Sequence, residues 1–91
     1  MVTLQIGNSD DKLTQNQWSE FCAAVGMAIR VHGGLVHFCG TSDGMAPWQN
    51  AAFVFECSDE QSKILQPNIA ELRKIFRQDS AAWTSGEIRL I

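Results

Sequence analysis

Residues 35–57 read LVHFCGTSDGMAPWQNAAFVFEC, and this stretch decides the fold. Its two ends, 35–39 and 51–57, are short apolar runs that predict two strands. The eleven residues between them, 40–50, are rich in Gly, Ser and Asp. They form a connection far longer than the two to five residues of an ordinary hairpin. A loop of this length in so short a chain favours a functional role.

Helical segments flank this pair of strands on both sides. Residues 15–32 repeat apolar side chains at helical spacing, between a capping box that begins at Thr14 and a terminating glycine pair. Residues 58–76 start with a second capping box and keep one apolar stripe across Pro67. Because proline disfavours helical geometry at the preceding residue, we expect two short helices or one kinked helix there.

Apolar residues that alternate with polar ones mark two further strands. Residues 2–6 show this alternation, and residues 87–91 show it in a last strand that begins as early as Trp83. The order β-α-β-β-α-β predicts an α+β, ferredoxin-like sandwich, a four-stranded antiparallel sheet with two helices on one face, as one domain over residues 1–91. A parallel flavodoxin-like or barstar-like sheet is the alternative, and it would need strands that are buried on both faces.

The charge pattern favours a protein partner over a nucleic acid. Charged residues make up 19% of the chain, whereas an average globular chain has about 25%, so part of this surface is short of charge. A net charge of −3 provides no basic field to attract a phosphate backbone. We therefore expect a homo-oligomer or another protein partner and no nucleic acid.

The cysteines and the hydropathy pattern predict a cytoplasmic protein. Cys22, Cys39 and Cys57 are odd in number and widely spaced, which argues against both a disulfide framework and a zinc site. We expect reduced thiols, no metal and no cofactor. The sequence shows no export signal and no apolar run near the about 20 residues that span a bilayer, so no membrane partner is expected.

The predicted topology brings three connections, 7–12, 40–50 and 79–86, to one end of the sheet. Carboxylates and amides beside tryptophan rings could bind a cation or a small polar ligand at this loop end. Turns and helix caps select the same residue types, so a purely structural role is the alternative. The candidate ligand-binding residues are Asp10, Asp43, Trp48, Asn50, Asp79 and Trp83.

The face of the sheet without helices is the second candidate site. If Val36 and Phe38 join Phe53 and Phe55 on the helix side, the residues left on the other face are too apolar for water alone. The outer side of helix 15–32 is also apolar, and it is a second candidate interface. The predicted interface residues are Leu35, His37, Cys39, Val54, Met27 and Val31.

Two hypotheses for the function follow from these surfaces. The first is a small non-catalytic binding or interaction module, homo-oligomeric through its sheet face or its first helix. The second is a cofactor-free enzyme of the dimeric α+β barrel type, with a pocket near His37 and loop 40–50. His37 and Cys39 lie two apart on one strand, a spacing that suits a thiolate activated by an imidazole, but a satisfied interface histidine beside an inert thiol is the simpler explanation.

Overall fold

Strands and helices alternate along the chain in the computed structural model. The described residues are 1–43, 45 and 48–91, so that Gly44, Ala46 and Pro47 of the predicted loop lie outside them. The elements are β1 (Val2–Gly7), a short 3-10 turn (Ser9–Asp11), α1 (Gln15–His32), β2 (Val36–Thr41), β3 (Asn50–Phe55), α2 (Asp59–Ile75) and β4 (Ala82–Ser85).

One antiparallel sheet joins the four strands of the described residues, in the order β2-β3-β1-β4. β3 and β1 are central, whereas β2 and β4 form the edges. Buried side chains of α1 and α2 contact buried side chains of the sheet in one core, and the rings of Phe21 on α1 and Phe76 after α2 stack with their centres 4.9 Å apart. This order of elements and strands confirms the predicted ferredoxin-like α+β sandwich.

The core lies between the helices and one face of the two central strands. Alternate residues project from a strand onto the same face, and those that face the helices are buried on both β1 and β3. They are Val2, Leu4 and Ile6 of β1, and Ala51, Phe53 and Phe55 of β3. The helices contribute Trp18, Phe21, Val25 and Ile29 of α1, and Leu65 and Ile69 of α2.

Both helices begin at the predicted capping boxes. The Thr14 hydroxyl accepts a hydrogen bond from Gln17 N (3.2 Å), and the Gln17 side chain accepts one from Thr14 N (2.9 Å). Ser58 and Gln61 repeat this pattern at the start of α2. Each box satisfies two backbone donors that a helix start would otherwise leave unpaired. No helix within the described ranges combines the length and apolar character needed to cross a membrane.

Of the two predicted forms of the second helix, the division into two short helices is wrong, because α2 continues from Asp59 to Ile75 with Pro67 inside it. A proline inside a helix removes one backbone hydrogen bond and costs about 3 kcal/mol. Leu65 and Ile69, on either side of Pro67, are both buried in the core. Their burial contributes about 1.5–3 kcal/mol each, enough to offset that cost.

The last strand lies earlier than the alternation in residues 87–91 predicts. β4 ends at Ser85, which pairs with Val2 at the start of β1. Beyond that pair Gly86 N donates to Met1 O (3.3 Å), and the following residues run past the start of β1. The alternating residues therefore have no neighbouring strand within the described sheet, and Leu90 is 94% exposed.

The contrast between neighbouring residues on α2 provides a test of where the core lies. Leu65 is fully buried, whereas Ile64 is 55% exposed. We expect Leu65→Ala to lower the free energy of unfolding by about 2–5 kcal/mol, because it leaves a cavity in the core. Ile64→Ala should change it by less than about 0.5 kcal/mol. Urea unfolding followed by circular dichroism measures both, and equal losses would contradict this core.

Candidate functional site

β2 forms an edge of the sheet whose outer side pairs with no strand among the described residues. Its sequence, VHFCGT, has no lysine, no acidic residue and no proline. Proteins usually protect an exposed edge with such residues, because its unpaired N–H and C=O groups are a template for a further strand. The β2 edge, defined as Val36–Thr41, is therefore an open pairing surface.

A β-bulge at His37 shifts the register of β2 against β3. Val36 pairs with Phe55, but the next pair is Phe38 with Val54, so that His37 is an extra residue. Residues that lie opposite each other project onto the same face of the sheet. The bulge therefore turns each later side chain of β2 to the face opposite to the one that strict alternation predicts.

The bulge corrects two predicted placements. Phe38, expected on the helix side, is on the helix-free face and 57% exposed. Its ring covers Gly40, since a Cβ atom on that glycine would lie 2.7 Å from the ring. Cys39, expected on the helix-free face, pairs with Phe53 on the helix side. The imidazole and thiol that were predicted to project together are thus separated.

His37 instead approaches Glu56, the residue after β3. The distance from His37 Nε2 to Glu56 Oε2 is 3.4 Å, and both side chains are well exposed. Such a surface pair contributes little to stability. The contact places the His37 imidazole beside a carboxylate at the end of the helix-free face.

An apolar groove of about 380 Å³ runs between α1 and β2. Cys22 and Gly26 line it from the helix, and Cys39 and Thr41 line it from the strand. A Cβ atom at Gly26 would lie 2.8 Å from a guanidinium nitrogen of Arg30, whereas its contact with the Phe53 ring (3.5 Å) would be an ordinary one, so the glycine leaves room for the Arg30 side chain. The groove follows the open strand along its helix side, and we call it the α1–β2 groove.

A second depression, of about 450 Å³, continues from the groove along residues 34–39. Arg30 lines both spaces. Its guanidinium lies along the helix beside Gly26, and none of the ion pairs within the described residues includes it. Arg30 thus places a cation at the junction of two otherwise mostly apolar spaces, a feature that the sequence analysis did not identify.

Burial raises the pKa of the Cys22 thiol above its ordinary value. Partial burial also raises the pKa of Cys57. Both thiols are therefore protonated at neutral pH, and a protonated thiol is neither a good nucleophile nor a metal ligand. Across the described residues no group of three or more His, Cys, Asp or Glu side chains could hold a metal ion.

At the loop end, a buried amide organises the turn after β1. Asn8 is fully buried, and its Oδ1 accepts from Leu13 N (2.9 Å). Its Nδ2 donates to Leu13 O (3.1 Å) and to Gln49 Oε1 (3.1 Å). Asn8 lies two residues after Ile6, so it continues the alternation that buries Val2, Leu4 and Ile6. This alternation is the signal in the sequence that could have identified Asn8 as buried.

A second buried amide, Gln78, ties the same turn to the segment that leads into β4. Its Oε1 accepts from Ser9 N (3.0 Å), and its Nε2 donates to Phe76 O (3.1 Å). Every buried side-chain nitrogen and oxygen in the described part of the chain has a hydrogen-bond partner. The buried polar atoms of this loop end are thus satisfied by protein groups.

The three candidate carboxylates, Asp10, Asp43 and Asp79, are all exposed. Asp10 lies in the 3-10 turn with a positive φ of 56°. Asp43 Oδ1 accepts from Met45 N (2.8 Å), an interaction within its own turn. Asp79 Oδ1 lies 3.7 Å from Lys12 Nζ in an exposed ion pair. Two of these carboxylates already interact with neighbouring protein groups.

The other three candidates also have local roles. Asn50 is the first residue of β3, and its side chain donates to Trp48 O (3.3 Å). Trp48 is largely exposed. Trp83 lies within β4, and its ring packs edge-on against Phe55 with ring centres 5.8 Å apart. Phe55 lies at the end of the sheet that is farther from the loops. The Trp83 ring therefore packs against the core and does not line the loop end.

No match supplies a family or a function for this chain. Comparison with protein-family models, with curated proteins and with solved structures finds none. The buried polar side chains of the loop end are satisfied by protein groups, whereas the β2 edge, among the described residues, has backbone groups without a strand partner beside the α1–β2 groove.

A comparison of two asparagines tests whether Asn8 holds the loop end together. Asn8→Ala removes three hydrogen bonds, and each buried group left unpaired should cost about 1–3 kcal/mol of unfolding free energy. Asn68 is exposed on α2 and donates to Ile64 O, so we expect Asn68→Ala to be nearly neutral, within about 0.5 kcal/mol. Urea unfolding measures both. A neutral Asn8→Ala would contradict the structural role.

Proposed function

We propose that the protein is a non-catalytic interaction module that self-associates through the β2 edge. The observation that carries this proposal is an uncharged edge strand, six residues long, with its outer backbone groups free for pairing. Addition of a strand to such an edge is a common mode of recognition, in which main-chain hydrogen bonds provide affinity and side-chain pockets provide specificity.

The hydrogen-bond pattern identifies which backbone groups are open. Ser42 N donates to Asn50 O (2.7 Å), towards β3. Because the bonds of an antiparallel ladder alternate in direction, Thr41 and Cys39 direct their N–H and C=O groups outward. These groups are spaced as the next strand of an antiparallel sheet requires.

Apolar side chains beside the β2 edge support the same surface. Leu35 and Phe38 are both more than half exposed. The residues that face the same way on β3 are Ala52 and Val54, and those on β1 are Thr3 and Gln5. No charged side chain lies among these six residues, and His37 and Glu56 lie at the end of this face.

The accessible surface of the chain is also large for its mass. A folded monomer of 10.1 kDa is expected to expose about 5,300 Å². This chain exposes 6074 Å². Part of this excess of about 800 Å² comes from the exposed residues after β4, among them Leu90 and Ile91, which lie outside the sheet and are available to a partner.

The outer side of α1 is the other predicted interface. Met27 is 62% exposed, and Val31 is exposed to a similar degree. The backbone of α1 is hydrogen-bonded within the helix, so this side provides only side-chain contacts. The β2 edge adds unpaired backbone groups, and for that reason we assign self-association to the sheet.

The enzyme hypothesis has less support. The bulge separates His37 from Cys39, and the thiol of Cys22 in the α1–β2 groove has a raised pKa. A nucleophilic thiol needs an activating base or a lowered pKa. The groove therefore suits the binding of apolar side chains better than acyl or group transfer.

A cytoplasmic location is part of this proposal. Cys22, Cys39 and Cys57 are free thiols in the described residues. Proteins of reducing compartments keep such thiols, whereas secreted domains of this size usually carry disulfides. The partner that the proposal requires is a second copy of the chain in the same compartment.

A pair of lysine substitutions tests the assigned surface. Light scattering after size-exclusion chromatography should show wild-type self-association at high micromolar concentration. Phe38→Lys places a charge beside the β2 edge, and we expect it to weaken association by about tenfold or more. Met27→Lys places the same charge on α1 and should leave association unchanged. A wild-type protein that stays monomeric would contradict the proposal, and the reverse order of effects would assign the interface to α1.

A further inference from the structure

We infer that the strand added to the β2 edge is the segment Glu87–Ile91 of a second copy. This inference rests on the proposed self-association, and it adds the identity of the group that is bound. The segment has the alternation of a strand but lies outside the sheet. Among the residues that the structure describes, it is a strand-forming sequence with no strand to pair with, and the β2 edge also lacks one.

The segment leaves the sheet at the edge farthest from β2. The strand order β2-β3-β1-β4 puts three strand spacings between the two edges, a distance of about 14 Å. Five residues extend at most about 17 Å. Crossing the sheet would use almost the whole segment and leave too little to pair with β2, so the pairing has to occur between copies.

The side chains of the segment match the α1–β2 groove. Ile88 and Leu90 are two residues apart, so in a strand they project to the same side. Cys39 and Thr41 have this same spacing, and they line the groove on the helix side of β2. An antiparallel strand with Leu90 opposite Cys39 directs Ile88 and Leu90 into the groove.

The same register places Arg89 and Ile91 on the helix-free face. Arg89 then lies opposite Gly40, whose surface the Phe38 ring covers. A guanidinium beside an aromatic ring is a favourable contact. Ile91 lies opposite Phe38 and pairs an aliphatic side chain with the aromatic one.

A disulfide trap that uses the native Cys39 tests this register. In a background of Cys22→Ala and Cys57→Ala, Leu90→Cys places a thiol opposite Cys39 of the other copy, within the reach of a disulfide. Mild oxidation with copper phenanthroline should give a covalent dimer, and peptide mass mapping should find the link between positions 39 and 90. The matched control Arg89→Cys projects to the opposite face, and its yield of linked dimer should be lower by about tenfold. Adding Cys39→Ala to Leu90→Cys should abolish the 39–90 link.

Two further variants separate this inference from the proposed function. Deletion of residues 87–91 should weaken self-association by about tenfold or more. Cys39→Pro removes an outward N–H without breaking a bond to β3 and should have a similar effect, whereas Cys39→Ala keeps the N–H and should not. A wild-type dimer that survives the deletion and gives no 39–90 link overturns this inference and leaves self-association standing. A wild-type monomer at high micromolar concentration overturns both.

Discussion

The antiparallel pairing of β1 with β3 determines where the other elements lie. It joins Val2–Gly7 to Asn50–Phe55 without a break in register, and it presents one continuous apolar face to the helices. Within the described part of the chain, β4 pairs with β1 and β2 pairs with β3. The position of each edge strand, and of every side chain on it, is therefore defined relative to this central pair.

Features that depend on near neighbours in the chain could be predicted from the sequence. The capping boxes at Thr14 and Ser58 mark the starts of both helices, because a cap forms within four residues. Near neighbours in the chain could not show that α2 is one helix across Pro67 instead of two short ones. Its continuity depends on how deeply Leu65 and Ile69 are buried against other elements, and that burial is a property of the whole fold.

The faces of Phe38 and Cys39 on β2 were predicted incorrectly for a similar reason, whereas Val36 lies on the predicted helix side. A bulge exists only with respect to the opposite strand, so nothing in residues 35–41 alone identifies His37 as an extra residue. The exposure of Met27 and Val31 was predicted correctly, because the period of a helix is local. The loop end was predicted from its carboxylates, whereas the residues that organise it are the buried amides of Asn8 and Gln78.

The pairing of β4 with β1 joins residues 82–85 to residues 2–5. On the ribosome β1 is made early, and β4 is made after every other element of the sheet. Until β4 has left the ribosome, the outer edge of β1 has no strand to cover it, and long-range pairing of this kind is slow. The nascent chain thus presents an additional open strand edge that β4 covers in the finished protein, and such an edge favours aggregation during synthesis.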